Sequence, residues 1–266
     1  MYNLYNLCAI NVELTSRCTL KSCWMCGRRE RERELGDQDY GDMDLNLVCE
    51  IARQVPPGIL IMFHNNGEPL EYRGFGPAVR MFGDCVTHIT TNGKLLLKKA
   101  SDVIDNLDTL AVSIFEGDDE QDDQYEILKE FLRIKGTRKP HVIARLIGDV
   151  DDVPYKEALG LQVARRALHK PKGSVGYTKQ PVVPEAGFCW DIFTRLSIDR
   201  HGNVSPCVRF DPKKQLVLGN IKEKSLAELW NCTKRKDMLK FHIEGRRAEL
   251  DFCGKKCEYY GVPTSD

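Results

Sequence analysis

Apolar runs alternate with amphipathic segments over the first two-thirds of this 266-residue chain, and no other pattern in the sequence limits the possible folds as strongly. Short runs bounded by Gly, Pro and polar residues predict strands, and longer segments with helical periodicity predict helices. The predicted strands are Ala9–Leu14, Gly58–Phe63, Val86–Thr90, Thr109–Ile114, His141–Ile147 and Ser174–Tyr177. The predicted helices are Leu45–Val55, Gly76–Phe82, Lys94–Leu107, Gln124–Lys135 and Pro154–Leu168. This alternation predicts an α/β fold with a helix-covered parallel sheet, and six units predict an incomplete (β/α)₆ barrel.

The pattern changes after Pro181. Two short apolar runs, Arg195–Ile198 and Val204–Val208, flank a polar turn with Gly202 and predict a β-hairpin. Short helices are predicted at Leu226–Trp230 and Arg235–Phe241. We therefore expect two domains, a partial barrel over residues 1–180 and a small hairpin-plus-helix domain over residues 181–266.

Composition excludes several classes of function. Lys plus Arg and Asp plus Glu both number 39, so a formal net charge of zero gives no general argument for binding nucleic acid or a membrane surface. No apolar run is long enough to span a bilayer, and the N-terminus lacks the features of a signal peptide. We expect a cytoplasmic protein.

Eleven cysteines are many for a chain with no secretory signal. Because disulfides are rare in the reducing cytoplasm, ligation of a metal or cluster is the favoured interpretation. Three thiols, Cys18, Cys23 and Cys26, lie within nine residues directly after the first predicted strand. Three close thiolates suit an iron–sulfur cluster, and a four-iron cluster with three protein ligands keeps one iron open. The alternative is a structural zinc site, which would require a fourth ligand from elsewhere in the chain.

This cysteine segment resembles the cluster-binding loop of radical S-adenosylmethionine (radical SAM) enzymes. Trp24 stands at the aromatic position after the second cysteine, although the first gap has four residues where the family usually has three. Three further segments at the ends of successive strands resemble family motifs: Asn66-Gly67-Glu68-Pro69 after the second strand, Thr91-Asn92-Gly93 at the third, and Val112-Ser113-Ile114 at the end of the fourth. The resemblance implies that they bind the methionine and ribose parts of S-adenosylmethionine, with Glu68 on the ammonium group. It also implies reductive cleavage of S-adenosylmethionine to a 5′-deoxyadenosyl radical, which abstracts a substrate hydrogen atom.

A second cysteine set resembles the SPASM/twitch auxiliary-cluster domain of this superfamily. Cys189, Gly202-x₄-Cys207, Leu226-x₃-Trp230 and Cys253-x₃-Cys257 follow the order of that domain. Four cysteines could fully ligate one auxiliary 4Fe–4S cluster, which would be suited to electron transfer. The shorter twitch form fits better than the full SPASM form. A Cys₄ zinc site is the alternative for this set.

Two further residues are candidate substrate contacts. Arg145 is a charged residue within the apolar fifth strand, where it could bind a carboxylate or phosphate or lie in solvent at the strand end. Tyr177 lies near the end of the sixth predicted strand. The small members with one auxiliary cluster, such as the aminocyclitol dehydrogenases, suggest dehydrogenation of a sugar-like or other small metabolite, with a flavodoxin- or ferredoxin-type reductant. The rivals are a maturase acting on a short ribosomal peptide and a non-catalytic metal protein.

Overall fold

The computed structural model describes residues 3–20, 23, 26, 28, 32, 36, 40–166, 189–207 and 214–256, with residues 254–256 described by their backbone alone. Nine strands form one sheet in the order β6-β5-β4-β3-β2-β1-β7-β8-β9. They are β1 Ala9–Val12, β2 Leu60–Met62, β3 Val86–Thr91, β4 Thr109–Phe115, β5 His141–Ile147, β6 Gln162–Arg166, β7 Arg195–Ile198, β8 Asn203–Ser205 and β9 Gly219–Asn220. All neighbours from β6 to β7 are parallel, and β8 and β9 are antiparallel additions at one edge.

Seven α-helices are described. They are α1 Leu45–Gln54, α2 Phe75–Arg80, α3 Ala100–Val103, α4 Gln121–Lys135, α5 Trp190–Thr194, α6 Leu226–Trp230 and α7 Thr233–Ile243. Local chemistry fixes several of their ends: Asp44 accepts from the backbone N–H of Asn46 at the start of α1, and Ser225 and Glu228 form a capping box on α6. No helix in the described part of the chain is long and apolar enough to cross a membrane.

The strands separate an apolar face from a more polar one because successive side chains point to opposite sides of a sheet. In β3 and β5 the residues alternate between fully buried and half-buried positions. Ile89, Val142 and Ala144 belong to the main hydrophobic core under the helices, whereas His88 and Arg145 lie on the half-buried face. This second face forms the concave side of the partial barrel.

The C-terminal hairpin extends the barrel sheet. β7 pairs in parallel with β1, from Ala9↔Arg195 to Val12↔Ile198. A buried guanidinium then ties the C-terminal helices together: Arg235 donates to the carbonyls of Trp230 and Ile192, both at 2.9 Å, and stacks 3.2 Å above the Trp230 ring. Carbonyl acceptors and an aromatic face compensate for burying a charge that has no carboxylate partner within the described ranges.

Most sequence predictions of strands and helices are confirmed, apart from shifts of a few residues at their ends. The helix predicted over Pro154–Leu168 is wrong. One helical turn, Pro154–Ala158, ends before Gly160 at φ 64°, and Gln162–Arg166 then forms the sixth parallel strand against β5. The helix-forming residues of this segment suggested helix, but the open edge of β5 provides hydrogen-bonding partners that override such preferences. The predicted strand Ser174–Tyr177 lies outside the described residues.

The long helix predicted over Lys94–Leu107 is also wrong, because only Ala100–Val103 is helical. Gly93 has a positive φ of 79°, and the side chain of Asn92 accepts from the backbone N–H of Lys94 at 3.0 Å. Such a turn competes with helical hydrogen bonding at the point where a helix would begin. The short helix α5 was not predicted.

Candidate functional site

The loop that carries the first three cysteines is clamped at its base. The backbone N–H of Met43 donates to the carbonyl of Leu14 at 2.7 Å, and that of Ser16 donates to Gly41 at 3.0 Å. The Thr15 hydroxyl donates to the Asp42 carboxylate at 2.7 Å. The chain on the two sides of the cysteine loop, residues 14–16 and 41–43, is therefore held together at one point directly beyond the end of β1.

The described part of this loop lies over the ends of β4 and β5. Leu20 and Cys23 pack against Phe115 and Ile147, the last residues of those two strands. The backbone N–H of Cys26 donates to the Cys23 carbonyl at 3.3 Å, which forms a turn between the second and third thiols. Trp24 lies outside the described residues.

The first thiol is protonated in the absence of a bound metal, since burial raises the pKa of Cys18 to about 11. Metal ligation requires the thiolate, so loading the site releases a proton. Arg28 donates to the carbonyl of Cys18 at 2.9 Å and stacks 3.8 Å from the Tyr40 ring. Its positive charge favours the thiolate form of Cys18.

The segment after β2 lies against the start of the cysteine loop. The backbone N–H of Glu68 donates to the carbonyl of Arg17 at 2.7 Å, and Asn66 donates to the buried Glu13 carboxylate at 3.3 Å. A Cβ on Gly67 would overlap the carbonyl oxygen of Thr15 and lie 2.9 Å from that of Arg17. Only glycine permits this approach of two backbones.

Glu68 is buried and connects two strand ends. Its carboxylate accepts from the backbone N–H of Leu70 at 3.1 Å, the Thr91 hydroxyl at 2.6 Å and the backbone N–H of Asn92 at 2.8 Å. Burial raises the pKa of Glu68 to about 7 even though these donors oppose the shift. The sequence did not indicate this bridging role. A carboxylate has about four lone-pair positions, so one acceptor position remains for a ligand.

Asn92 and Ser113 continue the row along the ends of β3 and β4. Both are buried, and the Nδ2 of Asn92 has no hydrogen-bond acceptor among the described residues. Gln124, at the start of α4, donates to the carbonyls of Asn92 and Ser113. Sequence reasoning missed Gln124, because a single amide in the first turn of an amphipathic helix looks like a surface residue.

Below these strand ends, the concave face holds a polar group of His64, His88, Thr90 and Arg145. The two imidazole rings meet edge to face with centroids 5.4 Å apart, and the His64 Nδ1 accepts from the backbone N–H of Thr90 at 3.1 Å. Arg145 donates to the Thr90 hydroxyl at 3.4 Å. Arg145 therefore points to the concave face, which decides between the two positions that the sequence left open. Tyr177 lies outside the described residues.

His88 makes stability depend on pH. Burial lowers its pKa to about 4, from 6.5 in an unfolded chain. Between these values the unfolded state binds a proton that the folded state does not, so the stabilisation is complete above pH 6.5 and is lost as the pH falls toward 4. In wild type the free energy of unfolding should therefore fall by up to about 3 kcal/mol between pH 6.5 and pH 4 because of His88. We expect His88→Gln to lose this pH dependence.

Urea unfolding at a series of pH values measures this effect. His141→Gln is the matched control, since His141 is exposed at the first residue of β5. Identical acid profiles for wild type and His88→Gln would contradict the assignment.

The second cysteine set surrounds one apolar group, defined as Ile192, Leu216, Met238 and Phe252. Three of its four predicted cysteines, Cys189, Cys207 and Cys253, border this group. Cys257 lies outside the described residues. The topology thus gathers residues that are separated by up to 64 positions in sequence.

Two buried basic side chains adjoin this set. The backbone N–H of Cys189 donates to Nδ1 of His242 at 3.1 Å, and Arg247 donates to the carbonyl of Cys253 at 2.5 Å. Burial, together with the charge of Arg247, lowers the pKa of His242 to about 4. The sequence did not single out either residue.

The donor sets fit iron–sulfur ligation better than a single metal ion. All the described cysteines are free thiols. Within the described ranges, no three His, Cys, Asp or Glu side chains meet closely enough to hold one ion. A zinc site needs its ligands around one centre, whereas each thiolate of a four-iron cluster binds a different iron.

Comparison with known proteins agrees with this geometry. Residues 189–258 match the SPASM family, an iron–sulfur cluster-binding domain. Over 265 residues the chain is 24% identical to the S-adenosyl-L-methionine-dependent 2-deoxy-scyllo-inosamine dehydrogenase of Niallia circulans, with 97% of this chain and 95% of that protein covered.

Two solved proteins share the fold. BtrN, crystallised with AdoMet and 2-DOIA, superposes with a TM-score of 0.66 at 20% identity, covering 98% of this chain and all of BtrN. Streptococcus suis SuiB, bound to S-adenosylmethionine, gives a TM-score of 0.63 at 16% identity over 95% of this chain and 72% of SuiB. A second SuiB structure, bound to the precursor peptide SuiA, gives 0.57 at 16% identity, over 88% of this chain and 67% of SuiB. The chain thus carries a SPASM-type iron–sulfur domain at residues 189–258 and, together with the cysteine motifs and the strand-end segments, these similarities support a radical SAM enzyme of the SPASM/twitch type.

Proposed function

We propose that this protein dehydrogenates a sugar-like or other small polyhydroxylated metabolite, using S-adenosylmethionine and two 4Fe–4S clusters. The observation that carries the proposal is the polar concave face directly below the strand ends that carry the candidate cofactor residues. The similarity to a dehydrogenase over nearly its full length supports the same reaction class.

The candidate cofactor residues fall into two groups, the thiols that would bind the first cluster and the polar groups that would bind S-adenosylmethionine. Cys18, Cys23 and Cys26 supply thiolates for the first cluster, and Gly67 lets the β2 loop approach the ligand. Glu68 offers its remaining lone pair to the ammonium group of S-adenosylmethionine, and its burial with no ion-pair partner among the described residues favours a cationic ligand. Asn92 offers a buried N–H that meets no acceptor in the described part of the chain, which suits a carboxylate or hydroxyl oxygen of the ligand. The proposed S-adenosylmethionine contacts are Trp24, Asn66, Gly67, Glu68, Asn92 and Ser113.

When bound, the first cluster supplies an electron that cleaves S-adenosylmethionine to methionine and a 5′-deoxyadenosyl radical. The substrate alcohol then loses one hydrogen atom, one proton and one electron, giving a ketone and 5′-deoxyadenosine. Cys189, Cys207, Cys253 and Cys257 hold the auxiliary cluster that we propose as acceptor of the electron. The barrel wall excludes water around the reacting atoms.

The concave face offers both donors and acceptors to a substrate rich in hydroxyl groups. Arg145 forms no ion pair with any carboxylate of the described residues, and its guanidinium can donate to a substrate oxygen. The Oδ1 of Asn11 is buried and has no hydrogen-bond donor among the residues that the structure describes, while Nδ2 of the same amide donates to the His64 carbonyl at 3.0 Å. We propose Arg145 and Tyr177 as the catalytic residues that contact the substrate, with the Arg145 guanidinium acting as a hydrogen-bond donor.

The test is anaerobic incubation of reconstituted enzyme with S-adenosylmethionine, a strong reductant and a panel of cyclitols and sugars. We expect one or more of these substrates to yield a ketone in step with 5′-deoxyadenosine. Formation of 5′-deoxyadenosine without an oxidised product from any polyol would refute this substrate class.

Arg145→Leu should lower kcat/KM for the active substrate about 10- to 100-fold, since a charged hydrogen bond is worth about 1.5–3 kcal/mol. Cleavage of S-adenosylmethionine without substrate should persist. Arg138→Leu, an exposed arginine before β5, is the matched control. Equal losses of kcat/KM in both variants would show that Arg145 does not contact the substrate.

A peptide maturase is the second candidate, because the SuiB structure that also resembles this chain was solved with a precursor peptide. A gene for a short peptide beside the gene for this protein, together with mass loss from that peptide in the assay, would favour it.

Three further assignments belong to the same proposal. We place a domain boundary between residues 180 and 181, although the sheet continues across it. A flavodoxin- or ferredoxin-type protein is the proposed reductant. The cytoplasm is the proposed location, since its reducing conditions keep cysteines free.

A further inference from the structure

His242 occupies an unusual position in the C-terminal region. It lies in the last turn of α7, its side chain is 2% exposed, and it contacts a residue 53 positions earlier in the chain. That residue is Cys189, the proposed auxiliary-cluster ligand at the start of α5. The contact is a hydrogen bond of 3.1 Å from the backbone N–H of Cys189 to Nδ1 of the imidazole.

This hydrogen bond fixes the tautomer of the ring. A backbone N–H can only donate, so Nδ1 must accept through its lone pair. The ring proton therefore resides on Nε2, and the imidazole is neutral. His242 thus presents one N–H on the side of the ring away from the Cys189 backbone.

The Nε2–H group has no acceptor among the described residues, although it is fully buried. Buried N–H groups in native proteins almost always have an acceptor, and an exception calls for a ligand or ion. The position of the ring indicates which ligand. Met238, one turn before His242 on the same face of α7, belongs to the apolar group that Cys189, Cys207 and Cys253 border. Arg247, whose charge acts on the ring, donates to the carbonyl of Cys253.

We propose that His242 is a positioning residue of the auxiliary cluster: Nδ1 holds the backbone of Cys189, and Nε2–H donates to a sulfur of the cluster. The inference rests on the proposed function, in which these cysteines hold an iron–sulfur cluster. Hydrogen bonds to cluster sulfurs are one of the means by which proteins set cluster potentials. A donor stabilises the reduced cluster more than the oxidised one, because reduction adds negative charge to the sulfurs. His242 therefore makes the auxiliary cluster a better electron acceptor.

The experiment measures the midpoint potential of the auxiliary cluster in full-length protein carrying Cys18, Cys23 and Cys26→Ala, so that one cluster is observed. His242→Asn keeps an acceptor near the Nδ1 position and removes the Nε2–H. His242→Gln places an amide donor near the Nε2 position. His201→Asn, an exposed histidine in the β7–β8 turn, is the matched control.

We expect His242→Asn to retain the cluster while its reduced-to-oxidised ratio at a fixed potential falls about tenfold, which is about 59 mV for one electron. His242→Gln should lie closer to the parent protein, and His201→Asn should match it. Iron content and the paramagnetic signal of the reduced cluster provide readouts that do not depend on turnover.

The other possible results each decide for or against the role of His242. A cluster with an unchanged potential in His242→Asn overturns the role of His242 and leaves the proposed function intact. A parent protein without iron in its second cysteine set overturns both. If His242→Asn loses the cluster, His242→Gln decides: iron retained at a parent-like potential shows that an amide donor near Nε2 replaces the imidazole and supports the donor role, whereas loss of iron from both variants reduces His242 to a structural contact and overturns it.

Discussion

Replacing Cys18, Cys23 and Cys26 together by Ala is expected to remove about four of about eight irons per reconstituted chain and to abolish cleavage of S-adenosylmethionine. The three thiols are the only protein ligands that we propose for the first cluster, so no partial site remains. The second set, more than 160 residues away in sequence, should keep its cluster. Iron and sulfide analysis after anaerobic reconstitution measures this directly.

Cys49→Ala in α1 and Cys232→Ala before α7 are the controls for loss of a half-buried thiol, and both should retain the full iron content. Four irons in wild type, lost entirely in the triple variant and joined by one zinc, would contradict the account of the second set. Loss of all eight irons would show that the two sets do not assemble independently.

Gly67→Ala is expected to damage both the fold and the first cluster. The added methyl group would overlap the Thr15 carbonyl oxygen and approach that of Arg17 to 2.9 Å, and both are backbone atoms. Overpacking of this kind typically costs about 1–3 kcal/mol, and a clash with backbone belongs at the upper end. Relief of the clash must move residues 15–17, which lead directly into Cys18.

Thermal unfolding should therefore show a Tm several degrees lower, at about 2–4 °C per kcal/mol for a chain of this size. Reconstitution should also yield less iron in the first site. Gly83→Ala is the matched control, because its new Cβ would meet nothing closer than 3.5 Å. If Gly67→Ala melts like Gly83→Ala and takes up full iron, the close approach of the two loops is not required.

The strands of the barrel could be predicted from the sequence because buried parallel strands consist of short, nearly continuous apolar runs. Five strands and the C-terminal hairpin were found in this way. The site residues after β2 and β3 and near the end of β4 lie at the same edge of the sheet, as parallel strands require. β6 escaped prediction because it is an exposed edge strand, whose composition carries no apolar run. Its position is set by pairing with β5.

The residues that support the site were harder to predict than those named for ligand binding. Gln124 in α4 links the ends of β3 and β4, although it lies 11 residues after Ser113 in sequence. His242 binds the backbone of Cys189, which lies 53 residues earlier. Neither residue belongs to a local motif, so only the folded chain brings these partners together. Glu68 was found by its motif, but its hydrogen bonds to Leu70 in the following turn and to Thr91 and Asn92 at the end of β3 were not.

The central claim is that this chain performs reductive cleavage of S-adenosylmethionine. The most direct measurement is the amount of 5′-deoxyadenosine and methionine formed by anaerobically reconstituted wild-type protein with S-adenosylmethionine and a strong reductant. We expect both products in equal amounts, and none from the Cys18/Cys23/Cys26→Ala protein. An iron-loaded wild-type protein that binds S-adenosylmethionine and leaves it intact under these conditions would contradict the account.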